Sequence, residues 1–599
     1  MTNETVLGAH LSDAEHVRFS VWAPQALKVE VETYPNPDSL LRHNMVKDGR
    51  GVWTAEIDGT PGLLYRYRLN EEWGYPDPYS RSQPEGVHGP SEVVDVSAFS
   101  WTDDAWHGLN RDTLVVYELH VGAYTGAGTF DALIPELASL SELGVTAIEL
   151  LPINEFPGRR NWGYDGVSLF APSSVYGGPD GLRRLVAAAH QQGLGVMLDV
   201  VYNHLGPDGN YLATYSDSYF TDRYQTPWGD ALNFDGEDSE WTRRLVIDSA
   251  LIWFDEYHID GLRLDATQEI YDSSETHILR ELAERTAKRW PSERRPILIA
   301  EHERHDVTTV KERDQGGHGL DGLWLDDFHH SAHVLLTGER NGYLGRFQGG
   351  TAELASILSE GALYEQDQSR TLLPTRLLFC LQNHDQVGNR PQGERLAHLI
   401  DLARYKAAYA LLLLSPYTPL IFMGDEFAAS SPFLFFTDHK KELGDRIMTG
   451  RQTEFAGAWP DVEIVDAQAE ETFLRSQIDL SERERPPHDG VRRLFRELLR
   501  MRSDVSPAAG LAVEPLGEHV IGMARGEGPA TMLVVANFGD GTRVKIGALG
   551  GSTASSRPIL CTADTQFAGP GFDYQSLEHD SDGTVMLPPR AAIVWKADA

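Results

Sequence analysis

The sequence predicts an α/β protein, a (β/α)8 barrel flanked by an N-terminal and a C-terminal β-sandwich. Three observations predict it. Eight apolar runs, each followed by a helical pattern, recur between residues 101 and 505. Buried strands alternating with helices form parallel sheets with crossover helices, and eight strands close a barrel of this length with room for loop insertions. Both ends of the chain instead alternate at period two between Pro, Gly, Asn and Asp turns, the pattern of short antiparallel strands.

Residues 1–100 carry FSVWAPQALKVEVETY, GVWTAEI and LLYRYRLN, the strands of a small immunoglobulin-like sandwich. A carbohydrate-binding role is open to it. The eight runs of the middle region, 101–505, are TLVVYELHVGAY (113–124), TAIELLPI (146–153), LGVMLDVVYNH (194–204), DGLRLDA (260–266), PILIAEH (296–302), DGLWLDDF (321–328), TRLLFCLQNHD (375–385) and TPLIFMGDEF (418–427). Helices are expected at 178–193, with Pro179 near the start and Gly193 past the end, and at 273–290. An open doubly-wound sheet is the structural alternative. The polar stretch 205–240 reads as an inserted flap. Residues 506–599 supply HVIGMAR, ATMLVVANF, TRVKIG and AAIVWKA, the strands of the second sandwich.

With 599 residues the chain exceeds a single core of roughly 250–300 residues. Asp and Glu outnumber Lys and Arg by 89 to 52, a formal charge of −37. That balance argues against nucleic-acid and anionic-membrane partners, which need basic surface. Cys380 and Cys561 stand far apart, so no disulfide framework or cysteine zinc site is expected. The most apolar run, Ala407–Gly424, is interrupted by Pro416 and Pro419 and is too short on either side to span a bilayer. No basic leader precedes an apolar segment. A cytoplasmic protein is expected, and its oligomeric state is left open.

Function in such barrels collects at the C-terminal ends of the strands, and the charged residues fall there. The third run ends in Asp199, Asn203 and His204, and the fourth in Arg263 and Asp265. The fifth ends in Glu301, the sixth in Asp326 and Asp327, the seventh in His384 and Asp385, and the eighth in Asp425 and Glu426. Acids with His and Arg, without a thiol nucleophile or phosphate cradle, suit cleavage of an acetal. One carboxylic acid protonates the leaving oxygen while a carboxylate meets the oxocarbenium-like centre. Arg263, two residues from Asp265 on the same strand face, keeps Asp265 ionised as a nucleophile. Glu301, facing other carboxylates, keeps its proton and serves as the acid. His329 and His333 have the i,i+4 spacing that suits a metal, but no carboxylate helix matches them, and a sugar-contacting or core role is expected.

DVVYNH (199–204), GLRLDA (261–266), the Glu301 of IAEH and NHD (383–385), in this order, resemble the α-amylase family of glycoside hydrolases and transglycosylases, glycoside hydrolase family 13. The resemblance covers the barrel and both flanking domains. It implies Asp265 as nucleophile, Glu301 as general acid/base, and Asp385 as the acid that grips sugar hydroxyls. It further implies Asp199, His204, Arg263 and His384 as ligands of the −1 sugar, and Tyr164 of NWGYDG as the ring stacked on it. A retaining pair stands roughly 5–5.5 Å apart. Within the family, TPWGDALNFDG (226–236), GLWLDDFHH (322–330), NHDQVGNR (383–390) and the TQEI after GLRLDA are similar to members that release trehalose from malto-oligosyltrehalose. Malto-oligosyltrehalose or a related α-glucan is then the expected substrate, with Trp228, Asp326, Asp327 and His329 recognising the trehalose at +1 and +2. Bent, non-reducing trehalose is discriminated by polar groups that the wrong sugar leaves unpaired.

A branching or debranching enzyme of the same family is the alternative activity, and a catalytically dead binding protein the alternative of another class. Many members bind calcium beside the position of Asn203 through an inserted domain. The short flap offers no such cage, so no required metal or other cofactor is expected, and activity should survive chelation.

Overall fold

The computed structural model describes residues 7–597 except 37, 293, 305, 364–371, 460–461, 508, 527–530, 547–548, 550–555, 578–579 and 581–582. Eight parallel strands close a barrel: β1 (Val116–Leu119), β2 (Ala147–Leu150), β3 (Gly195–Val200), β4 (Gly261–Leu264), β5 (Ile297–Glu301), β6 (Gly322–Trp324), β7 (Leu377–Phe379) and β8 (Thr418–Phe422). Strand β8 pairs back onto β1, with Val116 opposite Leu420, so the doubly-wound alternative is excluded. Each strand lies inside one of the eight apolar runs.

The period-two alternation of the strands builds two layers inside the barrel. Val116, Ala147, Met197, Ile299, Leu378 and Leu420 belong to a buried apolar plug. Two residues further along the same faces stand Glu118, Glu149, Asp199 and Glu301, and Arg263 follows Gly261 in the same way. Gly261 is required where it stands: a Cβ there would lie 2.7 Å from the Ile297 carbonyl and 3.2 Å from the Met197 methyl. The outward residues Leu198, Leu262, Leu264 and Leu298 pack into the main core beneath the helices.

Those helices include α1 (Gly178–Gln191), α2 (Ser239–Tyr257), α3 (Ile278–Arg289), α4 (Asp327–Thr337), α5 (His384–Gly388), α6 (Leu402–Leu414), α7 (Lys441–Ala458) and α8 (His488–Arg502). Helix α3 starts five residues later than the expected 273, because the Asp272 carboxylate accepts the N–H groups of Ser274 and Ile278 and holds the intervening residues as a turn. The 205–240 stretch contains a hairpin, Phe220–Thr226 with Gly229–Leu232.

Two sheets form the N-terminal domain. One is built on His16–Trp22 and Val52–Asp58, the other on Val29–Asn36 and Leu64–Leu69. The domain docks on α2 through the Trp22 ring stacked on Trp241 at 5.0 Å and a two-pronged ion pair from Arg81 to Glu256. The C-terminal sheet, centred on Val520–Arg525, Met532–Asn537 and Ala591–Ala597, packs on α6. There Arg502 and Arg525 donate to carbonyls at the C-terminal end of α6, among them Leu413 and Leu414. A cation at a helix C-terminus meets the negative end of its dipole.

Candidate active site

One guanidinium organises the charged layer. Arg263, 1% exposed, donates from Nη1 to both Asp199 oxygens at 2.9 and 2.8 Å and to Asp265 Oδ1 at 2.7 Å. Its Nη2 pairs with Glu301 Oε2 at 2.8 Å. Beneath it, the Trp324 ring lies 4.8 Å from the guanidinium carbon. A buried cation with three carboxyl groups around it loses hydration and gains charge-assisted hydrogen bonds in its place.

The partners then diverge. Asp265 takes a second bond, 2.8 Å from Asn203 Nδ2 to its Oδ2. After it, Ala266 sits in the left-handed region at φ 40°, which costs a non-glycine residue about 1 kcal/mol or more. That turn aims the Ala266 N–H at Glu301 Oε2, 2.8 Å away. Burial pushes the Glu301 carboxyl up and Arg263 pulls it down; the charges of Asp265 and Asp385 push it up again, to about 8. Glu301 therefore holds a proton at neutral pH while sharing a guanidinium with Asp265.

A chain of hydrogen bonds runs on from Asp199. Its Oδ2 accepts from the Tyr164 hydroxyl at 2.5 Å, which meets His384 Nε2 at 2.8 Å; His384 Nδ1 faces Glu118 Oε1 at 2.6 Å. Burial pushes Asp199 up to about 6. It also works against a charged His384, but Asp385 and Glu118 hold that imidazole up to about 10. Tyr164 lies parallel to His384 with ring centres 5.4 Å apart. Gly163 before it, at φ 108°, lies against the Pro152 carbonyl, where a Cβ would be only 2.1 Å away.

The structure brings Asp199, His204, Arg263, Asp265, Glu301, His384, Asp385 and Tyr164 to one end of the barrel. Asp385 stands at the start of α5, where Asn383 accepts its N–H, and 39% of its side chain is exposed. His204 donates from Nε2 to the Tyr164 carbonyl, 3.1 Å away, and Trp228 at the hairpin tip stacks on it at 5.1 Å. Trp228 thus belongs to the roof over His204.

Beside Asp385 opens a cleft of about 400 Å³ lined by Asp326, His329, Tyr343, Arg390 and Trp459. Asp327 is not brought to it: at 2% exposure it accepts the Leu363 N–H at 2.9 Å and serves the chain behind α4. Asp425 and Glu426 likewise lie inside the wall rather than in the cleft. Asp425 accepts from Gln382, and Glu426 accepts from Tyr117. His333 is paired with Glu339, which also holds Arg390.

Sequence reasoning missed Glu118 and Glu149, acids inside the apolar runs VVYEL and TAIEL. Their signal was a carboxylate on the strand face that also carries Val116 or Ala147. Burial and the charges of Glu118 and Asp199 push Glu149 well above the carboxylate range. Tyr343, Arg390 and Trp459, the far walls of the cleft, were also missed, since they come from a short 3-10 helix, from the turn after α5 and from the end of α7.

A family model for the α-amylase catalytic domain matches residues 75–230, and one for carbohydrate-binding module 48, the isoamylase N-terminal domain, matches residues 6–83. A malto-oligosyltrehalose trehalohydrolase from Deinococcus radiodurans is 44% identical over 520 residues, 84% of this chain and 83% of its own length. One from Saccharolobus solfataricus is 39% identical over 519 residues, 84% and 88% of the two chains. The crystal structure of a putative α-amylase from Salmonella typhimurium superposes with a TM-score of 0.86 at 36% identity, over 98% of this chain and 99% of that one. The chain belongs to the malto-oligosyltrehalose trehalohydrolases of the α-amylase family.

Proposed function

We propose that the protein hydrolyses, with retention, the α-1,4-glucosidic bond adjoining the terminal trehalose of malto-oligosyltrehalose, releasing trehalose and a malto-oligosaccharide. The carrying observation is that one arginine holds both carboxyls, Asp265 bonded through both oxygens and Glu301 raised to about 8 by burial and by the charges of Asp265 and Asp385. Retention needs this division of labour between nucleophile and acid.

In the first step Glu301 gives its proton to the glycosidic oxygen and Asp265 attacks the anomeric carbon of the −1 glucose. Trehalose leaves as the alcohol, and the chain remains as an ester on Asp265. In the second, Glu301, now a carboxylate, takes a proton from water, which opens the ester and restores both groups. Asp385 binds the −1 hydroxyls, and Asp199, His204, Arg263, His384 and Tyr164 fix that sugar. The cleft beside Asp385 receives the trehalose against Asp326 and His329. Asp327 supports that wall from behind, and Trp228 covers the −1 side through His204. A cytoplasmic place of action fits the unpaired buried thiols Cys380 and Cys561.

Maltopentaosyl trehalose tests the reading. Free trehalose should appear in step with maltopentaose. A change in the iodine spectrum of amylose without trehalose release would instead establish a branching enzyme.

A further inference from the structure

In the cleft, three side chains converge that sugar binding alone does not require together. Asp326 precedes the first residue of α4, and His329 and His330 follow on its first turn. One ligand atom of each lies within 4.8 Å of the others. Both histidines are nearly buried, at 1% and 5% exposure, whereas the Asp326 side chain keeps 27% of its surface open to the cleft.

The rings are held at fixed angles by neighbours outside the cluster. His329 Nδ1 lies 3.5 Å from Cys380 Sγ, which turns its Nε2 towards Asp326, 3.8 Å from Oδ1. His330 is wedged between the Tyr343 ring at 4.6 Å and the Phe347 ring at 5.3 Å. Tetrahedral zinc, with bonds near 2.0–2.1 Å to nitrogen and oxygen, sets adjacent ligand atoms roughly 3.4 Å apart. The Nε2–Oδ1 spacing needs a shift of only a few tenths of an ångström to meet it. Two imidazoles and one carboxylate are a donor set for a divalent transition metal rather than for calcium or magnesium, which take oxygen.

We propose that Asp326, His329 and His330 form a binding site for a zinc-type divalent ion, and that the ion and the trehalose end of the substrate exclude one another there. The ion is inhibitory, not catalytic, because it stands on the acceptor side and not at Asp265. The exclusion rests on the reading of this cleft as the trehalose site; the ion site itself does not.

Equilibrium dialysis of the full chain against Zn²⁺ at neutral pH, compared with the Asp326→Asn and His330→Gln proteins, tests the site. Each variant should retain one ion fewer than the parent, or bind that ion at least tenfold more weakly. Equal stoichiometry and affinity in all three would overturn the proposal. The parent alone gives a second readout that survives misfolding of the variants. Co²⁺ should produce a visible absorption band of low-symmetry coordination, and excess trehalose should abolish it. A band untouched by trehalose, or no band, would contradict the mutual exclusion. A protein that releases no trehalose from maltopentaosyl trehalose yet loses one zinc with Asp326→Asn would fail the functional reading and keep the metal site.

Discussion

The two ends of the barrel carry similar charges and use them differently. At the closed end, His190 lies between Asp103 and Asp260, at 2.9 and 2.8 Å. Asp103 also meets His258 and Arg294, and Asp260 accepts from the Val196 N–H and the Trp106 indole. Trp106 stacks on His190 and Trp101 on His258, closing the cluster. Against the effect of burial, His258, His190 and Arg294 hold Asp103 down to about 2. At the open end Arg263 also serves several acids, but they outnumber it. There Glu301 is pushed up to about 8 and Asp199 to about 6. An acid ringed by hydrogen-bond donors is a clamp, and acids that burial and one another push up have protons to move. Their positions at the N- and C-terminal ends of the strands fit the division between stability and function in barrels.

The comparison is broken most severely at the open end. Asp265→Asn should lower kcat by about 10⁴-fold or more, by analogy with loss of other catalytic nucleophiles, with the fold unchanged by circular dichroism. Glu301→Gln comes next, with a loss of about 10²–10⁴-fold, the range of a general acid. The pH profile sharpens it. Because the acid form of Glu301 is the active one, kcat/KM of the parent should fall as pH rises through about 8, and this limb should vanish in Glu301→Gln.

At the closed end Asp103→Asn should leave kcat/KM of the folded protein within about twofold but cost about 3–5 kcal/mol of stability, as breaking a buried pair does, read by denaturant unfolding. The sign with pH is fixed. A carboxyl held below its unfolded value of 3.8 stabilises above that pH, so the parent's advantage should be lost as pH falls towards about 2. The smallest effect is expected at the roof. Trp228→Ala should raise KM about three- to tenfold through the lost stack on His204, with kcat little changed.

Much of the open end was legible in the chain. Arg263 and Asp265 alternate with Leu262 and Leu264, and period two alone assigns them to opposite faces of β4. The eight strands were legible as apolar runs, each followed by a helical pattern. Three things were not. Glu118 and Glu149 hide because local sequence does not show which strand face becomes the barrel interior. Asp326 and Asp327 are neighbours with the same side chain, and a distant contact, the Leu363 N–H on Asp327, holds one of them away from the cleft. The far wall of the cleft, Tyr343 and Trp459, is assembled from segments more than a hundred residues apart that carry no common pattern.

The most direct test of the division between Asp265 and Glu301 is to trap the ester. Glu301→Gln incubated with α-maltosyl fluoride, whose leaving group needs no acid, should accumulate a glycosyl adduct found by mass spectrometry on the peptide containing Asp265. An adduct on Asp385 or Asp199, or turnover with inversion and no adduct, would contradict the account.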